Sequence, residues 1–307
     1  MIHHLQHIAD LVFVFRKKGI KHIVVSPGSR NAPLILQFFS DSFFTMHSIV
    51  DERSAGFYGL GKALATHTPV ALVCTSGSAG LNYAPALAEA FYQHVPLIAV
   101  TADRPPWLIN QQDNQTIHQN EMFRNFVKCS MTVDIPVENE QQLRRFHQKL
   151  GNVLNCALNH VKSPVHLNIP LDEPLYDGIP EPFHSIRLEP EDYQLFSDFN
   201  MLSEYWKKSL KPVIIVGQQN TGSELREILN RRGVGRKVLV LAEPIANIAG
   251  RNVITAIDRV MMKVETDESG VFKPDFMVSM GGHVVSKRLK RWLQTMDIPH
   301  FRISEKK

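Results

Sequence analysis

The sequence has 307 residues, of which 44% are apolar and 21% are charged, and this balance is typical of a soluble globular protein with two domains. The formal charge of +4 comes from scattered residues, which does not indicate the dense basic face of a nucleic-acid-binding protein. The N-terminal stretch "MIHHLQHIAD" lacks the apolar core of a signal peptide, and no apolar run approaches the roughly 20 residues that span a bilayer. We therefore expect a cytoplasmic protein that binds neither nucleic acid nor membranes.

Helix and strand patterns alternate through the first half of the chain. Apolar residues recur at helical spacing in "LQHIADLVFVFRKKGI", and "HIVVS" then reads as a short buried strand. The same rhythm continues through "APLILQFF", "FFTMHSIV", "ERSAGFYGLGKALA", "PVALVCTS", "LNYAPALAEAFYQH" and "PLIAVTAD". Units of this kind predict an α/β fold with a doubly wound parallel sheet, covered by helices on both faces.

The pattern changes between residues 164 and 190, where one strand is followed by a proline-rich, acidic stretch without helical period. Further apolar strands follow in "PVIIVG", "KVLVLAE" and "DFMVSMGG". We predict a first domain over residues 1–175, a linker over 176–190, and a smaller Rossmann-like α/β domain over 191–307.

The cysteines and histidines give little sign of a disulfide or a metal site. Cys74, Cys129 and Cys156 are odd in number and far apart, which fits neither a disulfide framework nor a CxxC motif. His3 and His7 share one helix face at i and i+4, but the HExxH signature is absent. We expect no disulfide, no metal site, and a solvated helix face around the two histidines.

Two strand-to-helix turns in the first domain could approach a ligand. In "VVSPGSRNAP", Gly28, Ser29 and Arg30 could offer backbone N–H groups and a guanidinium to an anion, and the alternative is an ordinary Ser-capped helix start. In "CTSGSAGLNYAPALAEA", the glycines permit close approach, while neutral hydrogen bonds could come from Ser76, Ser78 and Asn82 beside Gly77 and Gly80. Neither stretch is a P-loop, a GxSxG elbow or a GxGxxG turn, which counts against phosphate-loop ATPases, serine hydrolases and nicotinamide dehydrogenases.

Two further turns carry basic residues. "TADRPPWLINQQDNQTIHQ" contains Arg104, Asn114 and Gln115, which suit carboxylates and hydroxyls, with a polar surface loop as the alternative. "GGHVVSKRLK" places Lys287 and Arg288 in the first turn of a helix. Cations there oppose the helix dipole unless an anion compensates, and the alternative is a solvated basic face.

An acid pair opens the stretch "VDERSAGFYGLGKAL". Asp51 is the expected N-cap, and Glu52 taken alone would be a first-turn partner of the helix dipole. The small residues Ala55, Gly59 and Ala63 recur every four positions, which predicts a helix stripe that packs closely on its neighbour.

In their order and spacing, "SPGSRNAPL", "DERSAGFYGLGKAL", "CTSGSAGLNYAPALAEA" and "TADRPPWL…DNQTIHQ" resemble the pyrimidine-binding domain of thiamine-diphosphate enzymes. Within that superfamily, "SPGSR" together with "TADRPP" and "NQ" resembles the carboligase family of menaquinone biosynthesis. The resemblance is strong over residues 8–136 and continues more weakly to "GGHVVSKR".

The resemblance implies a transferase that decarboxylates 2-oxoglutarate and adds the succinyl-semialdehyde carbanion equivalent to isochorismate, with thiamine diphosphate and Mg²⁺ or Mn²⁺ as cofactors. It implies that Glu52 is catalytic, because the matching glutamate exchanges a proton with the aminopyrimidine ring. The cofactor-binding residues that it implies are Glu52, Ser76, Gly77 and Asn82. The implied substrate-binding residues are Ser29, Arg30, Arg104, Asn114, Gln115, Lys287 and Arg288. It implies no metal ligand in these 307 residues.

The sequence also departs from this family. Family members continue into a third domain whose "GDG…N" motif holds the metal and the diphosphate, and that motif does not occur here. The family places its cofactor between two subunits of a homodimer or homotetramer. We expect this chain to be the N-terminal and central portion of such an enzyme, truncated before the diphosphate domain, and to be inactive alone. The alternatives are a noncatalytic subunit or binding module that pairs with a separate diphosphate-domain chain, or another 2-oxo acid decarboxylase.

Overall fold

The computed structural model describes residues 2–159, 161–178, 180–183, 186, 199–219, 225, 227–228, 238–250, 252–265 and 270–303. The chain divides into two compact units, Met1–Asp192 and Tyr193–Lys307. Part of the predicted linker over 176–190 lies outside the described residues, so that boundary stays a prediction.

The first unit is built on one parallel sheet. Its strands are β1 (His22–Val25), β2 (Thr45–Ser48), β3 (Val70–Cys74), β4 (Leu97–Asp103), β5 (Cys129–Thr132) and β6 (Val165–Pro170), in the order β2-β1-β3-β4-β6-β5. Strands β3, β4 and β6 are buried along their whole length, as strands covered on both faces are.

Helices cover both faces of this sheet. They are α1 (Gln6–Lys17), α2 (Ala32–Ser40), α3 (Glu52–Thr66), α4 (Ser78–Leu81), α5 (Ala84–Gln93) and α6 (Glu140–Leu158). Neighbouring residues on a strand point to opposite faces, and accordingly Val73 packs in an apolar cluster with α1, α2 and α6, while Leu72 packs in another with α3 and α5. The prediction of a doubly wound α/β fold is confirmed.

The second unit repeats this architecture on a smaller scale. Its strands are β7 (Pro212–Val216), β8 (Leu239–Ala242), β9 (Val253–Ile254), β10 (Phe276–Met280) and β11 (His300–Ile303), and all neighbouring pairs in the order β11-β10-β7-β8-β9 are parallel. The helices described beside it are α7 (Phe199–Lys208), α8 (Ile257–Val264) and α9 (Lys287–Gln294). This unit is the predicted Rossmann-like α/β domain.

The expectation that no cysteines pair was wrong. Cys129 on β5 and Cys156 on α6 form a disulfide with their Cα atoms 6.2 Å apart, whereas Cys74 is free and buried. The two residues are 27 positions apart in sequence, but α6 packs against β5 and brings them together. Spacing along the chain therefore concealed a contact that the fold creates.

The expectation of a solvated helix face around His7 was also wrong. His7 is 2% exposed, and its ring meets Phe146 edge to face with centroids 6.1 Å apart. Burial lowers the pKa of His7 to about 4, so this side chain is a neutral core residue. Among the described residues, no group of three or more His, Cys, Asp or Glu side chains could hold a metal ion. None of the described helices is both long enough and apolar enough to cross a membrane.

Candidate active site

The predicted ligand turns of the first unit lie at one edge of its sheet. The chain runs from β1 to β2 on one side and then returns to β3 on the other side of β1. The order of strands therefore reverses between β1 and β3, and in open parallel sheets ligands bind outside the carboxyl ends of strands at such a point. The turns after β1, β3 and β4 contain Arg30, Ser76 and Arg104, and Glu52 is the first residue of the helix that follows β2.

The turn after β1 is fixed by buried hydrogen bonds. The Ser26 backbone N–H donates to the Val73 carbonyl over 2.9 Å, and the Asn31 side-chain amide donates to the Ser26 carbonyl over 2.9 Å. A Cβ atom on Gly28 would lie only 2.5 Å from the Thr75 Cβ, so the turns after β1 and β3 touch at a position that requires glycine. Ser29 is exposed and does not cap α2, because the N-cap position is occupied by Asn31.

Arg30 brings a positive charge into this edge of the sheet. Its side chain is 6% exposed, its Nη1 donates to the Leu171 carbonyl over 2.9 Å, and its Nη2 lies 3.2 Å from Oε1 of the mostly exposed Glu173. Burial, followed by the positive charge of Arg104, lowers the pKa of Arg30. Two guanidinium groups that repel each other in a partly desolvated place would both gain from a bound anion.

Arg104 follows β4 and is only loosely paired. Its Nε lies 3.6 Å from Oδ2 of Asp113, and neither of these buried atoms makes a hydrogen bond. The loop that carries Asp113 has positive φ at Asn110, Gln112 and Asn114. Asn114 is exposed, and its amide contacts the neighbouring Asp113 carboxylate over 3.4 Å. The Arg104 guanidinium therefore retains hydrogen-bonding capacity for a ligand.

The turn after β3 presents a buried hydroxyl. Ser76 is 1% exposed, and its Oγ has no hydrogen-bond partner. Gly77 has φ of 85°, and a Cβ atom there would lie 2.3 Å from the Gln115 carbonyl oxygen. Gln115 in turn donates from its amide to the Ser76 carbonyl over 2.9 Å. Asn82 is exposed, and its amide donates to the Ser78 carbonyl over 3.1 Å within its own turn.

Glu52 begins α3, directly after its cap. Asp51 accepts a hydrogen bond from the Ser54 N–H over 2.7 Å, so the expected cap is confirmed. Hydrogen bonding by the Ser54 side chain, followed by that of its N–H, lowers the pKa of Asp51. Glu52 is partly exposed, and its negative charge adds to burial in raising the pKa of the Cys74 thiol and the Tyr83 phenol. The Tyr83 hydroxyl makes no hydrogen bond of ordinary geometry. The carboxylate therefore lies at the same edge of the sheet as the ligand turns, within electrostatic reach of two buried neutral groups.

The small-residue stripe of α3 explains how Glu52 is held close to the sheet. Ala55, Gly59 and Ala63 are all buried, which confirms the predicted packing. A Cβ atom on Gly59 would lie 2.4 Å from Leu72 Cδ2 on β3. The helix can approach the strand this closely only because that position has no side chain.

The remaining predicted residues belong to the second unit. Helix α9 begins at Lys287, and Ser286 caps it by accepting from the Leu289 N–H over 3.0 Å. Lys287 is exposed, whereas Arg288 is partly exposed and pairs with Glu265. The cap and this ion pair account for the local polar groups without a bound ligand.

Sequence reasoning missed a set of buried polar side chains beside these turns. Gln119 is fully buried and accepts a hydrogen bond from the Gly77 N–H over 2.6 Å. His166 and Asn168 stand at alternate positions of the otherwise apolar strand "VHLNIP" and are also buried. Two polar residues on one face of a buried strand were the signal that could have indicated this set.

Comparison with known proteins identifies the same relationship as the motifs. Residues 7–122 match the family model described as "Thiamine pyrophosphate enzyme, N-terminal TPP binding domain". Three curated relatives are each named 2-succinyl-5-enolpyruvyl-6-hydroxy-3-cyclohexene-1-carboxylate synthase. The protein of Desulfotalea psychrophila is 40% identical over 306 residues, covering 97% of this chain and 57% of the relative. Those of Christiangramia forsetii and Porphyromonas gingivalis are 37% and 38% identical, covering 92% and 94% of this chain and 53% and 50% of the relatives.

This chain thus spans about half the length of the curated relatives it matches. Residues 7–122 are thus similar to the N-terminal domain of thiamine pyrophosphate enzymes, and nearly the whole chain is similar to part of the 2-succinyl-5-enolpyruvyl-6-hydroxy-3-cyclohexene-1-carboxylate synthases.

Proposed function

We propose that this chain forms the pyrimidine-binding and central domains of a transferase of menaquinone biosynthesis, which joins 2-oxoglutarate, after decarboxylation, to isochorismate. The observation that carries the proposal is the buried Arg30 beside the loosely paired Arg104 at the point where the strand order reverses. Both substrates are polycarboxylates, and guanidinium groups bind carboxylates through paired hydrogen bonds. The names of the relatives support the same reaction.

The edge of the sheet where these turns lie has groups that fit the aminopyrimidine part of thiamine diphosphate. Ser76 offers a buried hydroxyl without a partner, and Glu52 offers a partly exposed carboxylate. Gly77, whose lack of a side chain lets the Gln115 backbone pack against it, shapes the turn that carries this hydroxyl toward the cofactor. When bound, thiamine diphosphate supplies the carbanion-stabilising chemistry that decarboxylation of a 2-oxo acid requires. Glu52 would exchange a proton with the N1′ atom of the aminopyrimidine ring. We assign Mg²⁺ or Mn²⁺, together with the diphosphate, to a further domain of a longer protein.

The substrate-binding residues divide into two groups by exposure. Arg30, which is buried, and Arg104, which is mostly buried, provide the positive charge, and the exposed hydrogen-bonding groups belong to Ser29, Asn114 and Gln115. Lys287 and Arg288 form a second basic pair, in which Arg288 would exchange its present partner Glu265 for a substrate carboxylate. We further propose that the enzyme is a cytoplasmic homodimer or homotetramer.

A chimeric enzyme tests this function. The chain replaces the matching part of the Desulfotalea psychrophila relative, and isochorismate consumption is followed with thiamine diphosphate, Mg²⁺ and 2-oxoglutarate. We expect the chimera to consume isochorismate and the isolated chain to be inactive. Glu52→Gln should lower the rate by about 100-fold or more, the usual contribution of a positioned acid or base.

Asp51→Asn is the matched control, because it removes one negative charge at the same helix start while asparagine remains a good N-cap. It should keep most of the activity. A chimera that consumes 2-oxoglutarate without isochorismate would be another 2-oxo acid decarboxylase, and a folded chimera that consumes neither would show that the proposed function is wrong.

A further inference from the structure

A buried polar network joins the turn after β3 to the ends of β4 and β6. Its members are Thr101 and Asp103 on β4, Gln119 in the following loop, and His166 and Asn168 on β6, and none of them is more than 3% exposed. Buried polar atoms are stable when they have partners inside the protein, and the five side chains of this network are hydrogen-bonded to one another or to nearby backbone. The directions of its hydrogen bonds can therefore be deduced.

The direction of the β4 and β6 bonds follows from the single hydroxyl proton of Thr101. That proton is donated to Asn168 Oδ1 over 2.9 Å, so His166 Nε2, which lies 2.8 Å from Thr101 Oγ1, must carry the proton of their shared bond. His166 Nδ1 then accepts from the Ser130 hydroxyl over 3.3 Å. The Asn168 amide donates to Asp103 Oδ2 over 2.7 Å. This part of the network ends at a carboxylate.

The other oxygen of that carboxylate leads directly to the proposed substrate site. Asp103 Oδ1 accepts from the Arg104 backbone N–H over 2.8 Å. The backbone that carries the Arg104 side chain is therefore held by the same network that crosses from β6.

Gln119 connects this network to the turn after β3. Its Oε1 accepts from the Gly77 N–H over 2.6 Å, and its Nε2 donates to the Ala102 carbonyl over 2.9 Å and to Asn168 Oδ1 over 3.0 Å. A flipped amide would place Nε2 against another donor and Oε1 against two acceptors, so the orientation is fixed. One side chain thus ties the backbone of the Gly77 turn to the strand end that precedes Arg104.

The position of this turn matters because its free hydroxyl faces no protein partner. Ser76 Oγ is buried without a hydrogen bond, while Gln115 holds the Ser76 carbonyl and Gln119 holds the Gly77 N–H. The backbone on both sides of the hydroxyl is therefore restrained, and the hydroxyl itself remains available. This arrangement differs from a core hydrogen-bond network that satisfies only its own members.

Resting on the proposed function, we infer that Gln119 is a positioning residue that fixes the Ser76–Gly77 turn relative to Arg104, and so sets the distance between the bound cofactor and the substrate carboxylate. Gln119 acts through Gly77 and the end of β4 rather than by touching the reacting atoms. Two substitutions distinguish the hydrogen bond that Gln119 accepts from Gly77 from those that it donates to Ala102 and Asn168. Gln119→Met removes all three hydrogen bonds at similar volume. Gln119→Glu keeps an acceptor for the Gly77 N–H but places oxygen against Ala102 and Asn168 unless the new carboxyl is protonated.

Amide hydrogen exchange at Gly77 in the 307-residue chain is the direct measurement. Gln119→Met should make the Gly77 amide exchange about tenfold faster or more, because a buried acceptor is lost. Gln119→Glu should keep that amide protected. Gln142→Ala is the control, because it breaks the capping box of α6 and lowers stability far from this turn, and it should leave Gly77 unchanged.

Kinetics of the chimera give the second measurement. Gln119→Met should raise the half-saturating concentrations of both thiamine diphosphate and 2-oxoglutarate about tenfold. Gln119→Glu should recover toward the parent as the pH falls, since its carboxyl becomes a donor on protonation, and neither the parent nor Gln119→Met should show this recovery.

The inference is overturned if the Gly77 amide exchanges at the parental rate in Gln119→Met, or if that variant changes no more than Gln142→Ala does. It is also overturned if only the maximal rate falls and both half-saturating concentrations stay the same. A parent chimera without activity would count against the proposed function, and exchange at Gly77 would then decide the role of Gln119 by itself.

Discussion

The two units share a parallel α/β architecture but differ in whether their buried polar atoms have hydrogen-bond partners. Among the described residues, every buried side-chain nitrogen or oxygen without a hydrogen-bond partner lies in the first unit. Most of these atoms, including those of Ser76, Tyr83 and Arg104, lie on or beside the turns at the carboxyl ends of its strands. In the second unit, the buried Glu243 carboxylate accepts from the N–H groups of Val285 and Ser286, and so satisfies the turn before α9.

This difference distinguishes the basic residues of the first unit from those of the second. Arg30 is buried, and Arg104 is mostly buried with an Nε that makes no hydrogen bond, whereas Lys287 is exposed and Arg288 is paired with Glu265. Leaving buried polar groups without partners costs free energy, and a bound ligand can offset that cost. The unpaired atoms of Ser76 and Arg104, rather than the number of charges, mark the candidate site, whereas those of His7 lie in the apolar core.

Acid should destabilise the first unit more than the second, and this is the largest difference that we expect between them. Burial lowers the pKa of His7 to about 4 and that of His166 to about 3, while the same groups titrate near 6.5 when unfolded. Below pH 6.5 the unfolded chain therefore takes up protons that the folded first unit does not. Stability is lost as the pH falls from 6.5 toward these values, by about 6 kcal/mol in total at pH 4. The raised pKa of the buried Asp103 opposes this loss over its own titration range.

The free energy of unfolding of each unit can be measured at pH 7 and pH 4.5 by urea unfolding, with hydrogen exchange as the probe that reports on each unit separately. The described histidines of the second unit, His283 and His300, are both exposed, so that unit should depend less on pH. His7→Leu should remove about half of the acid sensitivity of the first unit. Equal acid sensitivity of the two units would contradict the comparison.

Reduction should weaken only the first unit. The Cys129–Cys156 disulfide closes a loop over 27 positions, and all three cysteines of the chain precede residue 193. Loop closure of this length stabilises a fold by about 3 kcal/mol. Thiol reductant should lower the free energy of unfolding of the first unit by that amount and leave the second unchanged. A chain with both Cys129→Ser and Cys156→Ser should be equally weak with and without reductant, and a response of that variant would place the effect elsewhere.

The sequence predicted the architecture well because long-range packing follows from local periodicity in an α/β fold. Buried strands such as β3 and β4 appear as continuous apolar runs between helical patterns. The short strand β5, "CSMT", has no such run and is recognisable only from its pairing with β6. The disulfide and the burial of His7 were missed for the same reason, since both depend on where α6 packs.

The sequence indicated where several candidate residues lie in the fold, but it did not show their hydrogen bonds. Motif spacing pointed to Glu52, Arg30 and Arg104, and all three lie at the carboxyl ends of strands. Spacing could not show that Asn82 donates to its own turn or that Gln119 is fully buried against Gly77. Hydrogen bonds between residues 42 positions apart, as in the second case, are set by tertiary structure alone.

The smallest difference that we expect is in substrate binding, between the basic residues Arg30 and Arg104 of the first unit and Lys287 and Arg288 of the second. Arg104→Met should raise the half-saturating concentration of 2-oxoglutarate in the chimera about tenfold, the effect of losing one charge-assisted hydrogen bond. Its thermal stability should change little, because Arg104 Nε makes no hydrogen bond and its ion pair with Asp113 is long. Arg288→Met should raise the same concentration by only about threefold, because that guanidinium must first leave Glu265, an exchange between exposed partners that contributes less than 1 kcal/mol.

Both variants carry the same change of side chain and of net charge, so each is the control for the other. Screening by salt distinguishes them further. An exposed cation loses most of its influence when ionic strength rises, whereas a buried one is screened far less. The Arg104→Met deficit should therefore persist in 0.5 M salt while the Arg288→Met deficit disappears. If the two deficits were equal and fell together with salt, the buried pair would contribute only general positive charge, and the unpaired atoms of the first unit would have lost their meaning as markers of the site.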